Sequence, residues 1–138
     1  MRYTELQMRF KYILILMFVS KISFAQPLNY PIFNDLVQYS SSINAYSYMC
    51  VKNFNEEEAK SELFELIELL QEKTNLSEKD IFQLKDKYFR INKSTVAQLI
   101  QLGINRNRAL CTNYLKIFER FDEKKSNVLD KLTEIAHE

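Results

Sequence analysis

Four glutamates, Glu58, Glu62, Glu65 and Glu72, recur at helical spacing and form a carboxylate row. Such a row can hold a divalent cation or supply a general acid and base pair. It also has the pattern of the solvated outer face of an amphipathic helix. The sole histidine, His137, is the penultimate residue, a position at which chains are ordinarily unanchored. Without a second histidine there is no Ser-His-Asp or Cys-His site of the usual kind and no histidine zinc site. No catalytic residue is assigned from the sequence, and neither a metal nor a cofactor is expected.

The two cysteines, Cys50 and Cys111, allow a single intramolecular pairing. An even count in an oxidising compartment favours a disulfide, and the Cys-x-x-Cys spacing of redox-active pairs is absent. Both fall on apolar stripes, so the bond is expected to tie the first helix to the last. Closing a loop of about 60 residues is worth roughly 4 kcal/mol in the chain-entropy account.

Charge marks a third set of residues. Arg106 and Arg108 are placed in the first turn of the last helix, behind Asn105 as N-cap, where the helix dipole disfavours positive charge. With the free backbone N–H groups after Asn105 they form a candidate surface for an anion or an acidic partner, which Lys116 and Arg120 extend. The structural alternative pairs the arginines with the glutamate face. Tyr48 falls opposite Cys50 and Tyr39 on the helical wheel and is the candidate exposed aromatic, whereas most other tyrosines are expected in the core or at its rim. Asn75-Leu76-Ser77 and Asn92-Lys93-Ser94 match glycosylation sequons, but both coincide with expected helix starts, where capping accounts for them.

The elements that must position these residues are helices. Gly occurs once and Pro twice among 138 residues, where average usage would give about ten Gly. Hairpins and phosphate-cradling loops both need glycine. The expected fold is all-α, a compact bundle of four to five helices. A first helix is read from Asn34 as N-cap to about Lys52, with Leu36, Tyr39, Ile43, Tyr46 and Cys50 on one face. Asn55 followed by Glu56, Glu57 and Glu58 starts a second, running to about Lys73. Ser77 with Asp80 resembles a capping box, flanked by Leu76 and Ile81 as a hydrophobic staple, and opens a third helix to about Arg90. A short fourth follows between Ser94 and Leu102, burying Val96, Leu99 and Ile100 and closing on Gly103. The last helix carries Cys111, Leu115, Phe118, Phe121, Val128, Leu132 and Ile135, with a bend expected within the polar run from Glu123 to Asn127.

Residues 1–25 have the pattern of a cleavable secretory signal. Arg9 and Lys11 precede the apolar block from Tyr12 to Val19, and Ser23 and Ala25 are the small residues a signal peptidase favours. The block is about eight residues, short of the roughly 20 that cross a bilayer. Cleavage is expected between Ala25 and Gln26, Met8 is the more natural start than Met1, and no membrane insertion is expected to persist. The mature part, 26–138, is read as a single helical domain. Removing the leader's four basic and one acidic residues from totals of 19 and 18 leaves 15 and 17. So balanced a chain has no electrostatic pull toward nucleic acid or anionic lipid.

These features describe a small exported protein, periplasmic or secreted from a bacterial cell, that acts by protein-protein binding as an accessory subunit or an immunity-type factor. One alternative is an envelope holdase, since the signal-bearing, all-helical, single-disulfide design resembles in architecture the small periplasmic acid-stress chaperones. A carboxylate- or metal-dependent enzyme is the other.

Overall fold

The computed structural model describes residues 27–104 and 108–138, with Arg108 in its backbone alone. The expected leader and cleavage point, and Asn105 and Arg106, lie outside the described residues. Among those described there are five helices and no strand: α1 Tyr30–Cys50, α2 Glu56–Leu69, α3 Gln71–Thr74, α4 Glu78–Gln101 and α5 Arg108–His137. None is long and apolar enough to cross a membrane.

Helix α1 begins four residues before Asn34. Asn29 is its N-cap and Pro31 lies in its first turn, where the ring's fixed φ suits the helix and the missing N–H has no intrahelical acceptor to lose. Asn34 is thereby an interior residue, and its Oδ1 accepts from Lys87 Nζ at 2.5 Å. Helix α2 starts as expected, with the Asn55 side chain accepting from the Glu58 N–H at 3.1 Å and three glutamates in the first turn. It stops at Leu69 rather than Lys73, and the single turn α3 follows. Thr74 Oγ1 donates to the Leu70 carbonyl at 2.6 Å, and left-handed Asn75, at φ 55°, ends the turn. Glu72 therefore belongs to a different element from Glu58, Glu62 and Glu65.

The capping box at the start of α4 forms: Asp80 N–H donates to Ser77 Oγ, and Ser77 N–H donates to Asp80 Oδ2. Leu76 and Ile81 are both buried beside it. From there α4 runs unbroken to Gln101, so the expected third and fourth helices are one. Nothing between Arg90 and Ser94 breaks a helix. Asn92, read as a helix start within its sequon, instead donates from mid-helix to the Ser41 carbonyl at 3.1 Å. Gly103, at φ 81°, closes α4 with Ile104 N–H donating to the Leu99 carbonyl. Ile100 points outward rather than in.

Helix α5 is continuous through Glu123–Asn127. Its inward positions are Cys111, Tyr114, Phe118, Phe121, Lys125, Val128, Leu132 and Ile135, a strict alternation of three and four, each buried or half-buried. Leu115 falls off that seam and is exposed.

Helix α1 is the element on which the others assemble. Asn34, Ser41 and Asn44 meet α4, and Tyr39, Tyr46 and Cys50 meet α5. Cys50 lies about 180° from Ser41 on the wheel, since nine residues turn through about 900°. Helices α4 and α5 thus flank α1 on opposite sides, and their backbones do not pack on each other among the described residues. Helix α2 covers a third side. One apolar cluster gathers Phe33, Leu36, Val37, Leu63, Ile67, Leu84, Tyr88 and Leu132 around the first half of α1, and a second gathers Met49, Tyr46, Leu99, Ile104, Cys111 and Phe118 around its end. Between them lies a polar layer of Ser40, Ser41, Asn44 and the Tyr88 hydroxyl.

Cys50 and Cys111 are joined, with their Cα atoms 5.7 Å apart. The bond is reinforced locally. Tyr46 Oη donates to the Cys111 carbonyl at 2.8 Å, and the Tyr46 ring stacks on Phe118 with centroids 4.2 Å apart. Replacing both cysteines, in the Cys50→Ser/Cys111→Ser variant, is expected to cost about 4 kcal/mol of unfolding free energy. The check is the denaturant midpoint at neutral pH, and midpoints that coincide would contradict the bond's role.

Candidate functional site

Among the described residues, those singled out by charge do not converge. Glu58, Glu62 and Glu65 line one exposed face of α2, and exposed Glu72 stands apart on α3. No group of three or more His, Cys, Asp or Glu among the described residues is placed to share a metal ion. Lys116 and Arg120 are exposed one turn apart on α5, and no ion pair joins them to α2 among the described residues. Asn105, Arg106 and the Arg108 side chain lie outside the described residues. His137 ends α5 and is exposed. Tyr48 is exposed as expected and borders a hollow formed by its own turn, residues 48–54.

A surface not singled out in the sequence stands on α4. Phe82 is 72% exposed, Phe89 51% and Ile100 54%. At 3.6 residues per turn, offsets of seven and eleven return to nearly the same direction, so the three form one row along the outer side. The buried row of the same helix, Ile81, Leu84, Tyr88 and Leu99, lies about a third of a turn away. The signal is in the sequence, but an expected break between Arg90 and Ser94 divides the row, with Phe82 and Phe89 inside the expected third helix and Ile100 in the core of the expected fourth.

Packing underneath holds Phe89 in place. Phe64 of α2 meets Tyr88 and Phe89 edge to face at 5.5 and 5.9 Å, and Tyr88 meets Phe89 at 5.7 Å. Lys60 lies 5.5 Å from the Phe89 ring centre and Lys85 5.3 Å from that of Phe64. Lys85 also pairs with Glu68 at 2.5 Å, and Arg90 with Asp86 at 3.0 Å. Lys79 and Lys93 are exposed on the same helix with no ion pair among the described residues. Beside Phe82 a groove of about 400 Å³ separates α4 from the start of α1, lined by Tyr30, Asn34, Asp86, Lys87 and Arg90. Burial pushes the Lys87 ammonium below its ordinary value, opposed by Asp35 and assisted by Arg90. Its hydrogen bond to Asn34 fixes the groove's floor.

Large rings held rigidly by neighbouring rings lose little entropy when a partner covers them, and exposed aromatics flanked by arginine are the composition of binding surfaces. Comparison with known proteins adds no relative: no family model, no curated protein and no solved structure matches the chain.

Tyr88 anchors the face from below. Burial raises its phenol above the ordinary value, the hydrogen bond from Asn44 Nδ2 at 3.0 Å opposes this, and Glu56 and Glu57 add to the rise. With the folded value above the unfolded one, the group's contribution to stability is complete below the unfolded value near 10 and is lost as pH rises through the folded value. Tyr88→Phe is expected to weaken the protein by about 1–3 kcal/mol at neutral pH, because Asn44 loses its acceptor. It is also expected to make stability fall less steeply above pH 10. Urea midpoints across an alkaline series check both, and identical alkaline slopes for the two proteins would contradict the assignment.

Proposed function

We propose that the mature chain is a small exported protein that works by binding another protein, with the outer face of α4 as its docking surface. The observation that carries this is the row of Phe82, Phe89 and Ile100, three large apolar side chains left in water about a third of a turn from the helix's buried row. Scattered exposed apolar residues are ordinary, but an aligned row whose middle member, Phe89, is held by underlying rings has the form of an interface. Unpaired Lys79 and Lys93 on the same helix give the partner its chemistry: an apolar ridge flanked by carboxylates. The Cys50–Cys111 bond and the signal-like leader support export.

Phe82→Asp is the discriminating variant, because the side chain is exposed and its loss costs the fold little. Tagged mature protein, crosslinked mildly in envelope extract of its own organism, is expected to recover one stoichiometric partner. Phe82→Asp should lose that partner while keeping the wild-type melting temperature. A partner held equally by both proteins, or a broad set of unfolded clients, would overturn the proposal.

A further inference from the structure

The outer face of α4 carries its own complement. Phe89 is the middle member of the exposed row, with Asp86 three residues before it and Lys93 four residues after, both exposed. At about 100° per residue the two charges fall on the same flank of Phe89, roughly 60° and 40° round the helix. Phe82 and half-buried Val96 stand seven residues to either side of Phe89, each within about 20° of its direction.

A two-fold axis running across the helix beside Phe89 brings a second α4 against the first, antiparallel. Such an axis inverts position along the helix and keeps the flank. It therefore lays Phe89 on its own counterpart, Phe82 on Val96 of the second copy, and Asp86 beside Lys93 of the second copy, with each unlike pairing made twice. A patch that complements itself in this way is what an isologous dimer requires. Two parallel α4 helices would instead set Asp86 against Asp86 and Lys93 against Lys93, so charge selects the antiparallel arrangement.

The two charges are available for this contact. Lys93 forms no ion pair among the described residues. Arg90 Nε donates to one carboxylate oxygen of Asp86 at 3.0 Å, but both side chains are more than half exposed. A bridge so exposed is weak, and the second oxygen can accept from another cation. Lys60 and Lys85, which border Phe89 and Phe64, are already paired with Glu57 and Glu68.

We infer that a second copy of this chain occupies this face: two mature chains form an antiparallel dimer through α4, centred on Phe89 and held in register by two Asp86–Lys93 pairs. The inference rests on the reading of the outer face of α4 as a docking surface, and it names the occupant of that surface when no other partner is present. Any other partner has to displace the second copy.

Sedimentation equilibrium of the mature protein, over concentrations up to about 1 mM, is the test, and the wild type is expected to pass from monomer to dimer. Asp86→Lys and Lys93→Asp are each expected to weaken dimerisation about tenfold or more, because each turns two attractions into two repulsions. An equimolar mixture of these two variants is expected to dimerise like the wild type, since one copy then carries both cations and the other both anions. Both substitutions are at exposed positions, so melting temperatures near that of the wild type are expected and verify the fold. A wild type that stays monomeric throughout would overturn the inference, as would single variants that dimerise fully or a mixture no better than its components. The docking reading is judged separately, by whether Phe82→Asp loses the captured partner.

Discussion

The burial of α1 on opposite sides is the constraint from which the rest of the structure follows. A helix that meets solvent on one side needs a single apolar stripe, whereas α1 must satisfy α4, α5 and α2 at once. Its sequence accordingly mixes Phe33, Leu36 and Val37 with Ser40, Ser41 and Asn44 instead of presenting one clean stripe. Small residues at Ser40, Ser41 and Ala45 permit close approach, and polar ones give neighbouring helices groups to bond. Once α1 is enclosed, α4 and α5 need not touch each other, and each keeps an outer side free for other uses.

The polar layer in the middle of α1 sets the register of the assembly. Asn44 donates to the Tyr88 hydroxyl and Asn92 to the Ser41 carbonyl, both from or onto α4. Sliding α4 by a turn would strand these groups in a dry interior, at a cost of about 1–3 kcal/mol for each. The apolar clusters above and below are far less particular about register. The disulfide then fixes the far end of α1 to α5, and Lys73 Nζ, donating to the Ala136 carbonyl, ties α3 to the last turn of α5. The aromatic face on α4 inherits its rigidity from this frame, because Tyr88 is both a member of the polar layer and the floor under Phe89.

What could be read from the sequence was what is decided locally. Asn55, the Ser77–Asp80 box and Gly103 act within one turn of themselves, so their residue types announced three helix ends correctly. Cysteine parity announced the disulfide. The boundaries that failed were decided by distant contacts. Asn34 has the chemistry of a cap, but Lys87 of α4 uses its side chain; Asn92 resembles a start, but Ser41 of α1 claims it. Splitting α4 there misdirected Ile100 inward and concealed the row that Phe82 and Phe89 begin. Leu115 is expected on the inward stripe, while the seam passes through Tyr114 and Lys125 and leaves Leu115 exposed. The glutamate row was half legible: three members share a face of α2, and the turn at Leu70 removes Glu72 from it.

Native-state hydrogen exchange tests the central claim most directly, because it ranks segments by the free energy needed to expose their amides. If α1 is the element on which α2, α4 and α5 are assembled, its amides between Phe33 and Tyr46 should exchange only through global unfolding. They should be at least as slow as any in α4 or α5. Exchange of those amides through a partial opening that leaves α4 and α5 protected would contradict the account, because the two flanking helices would then be held together by something other than α1.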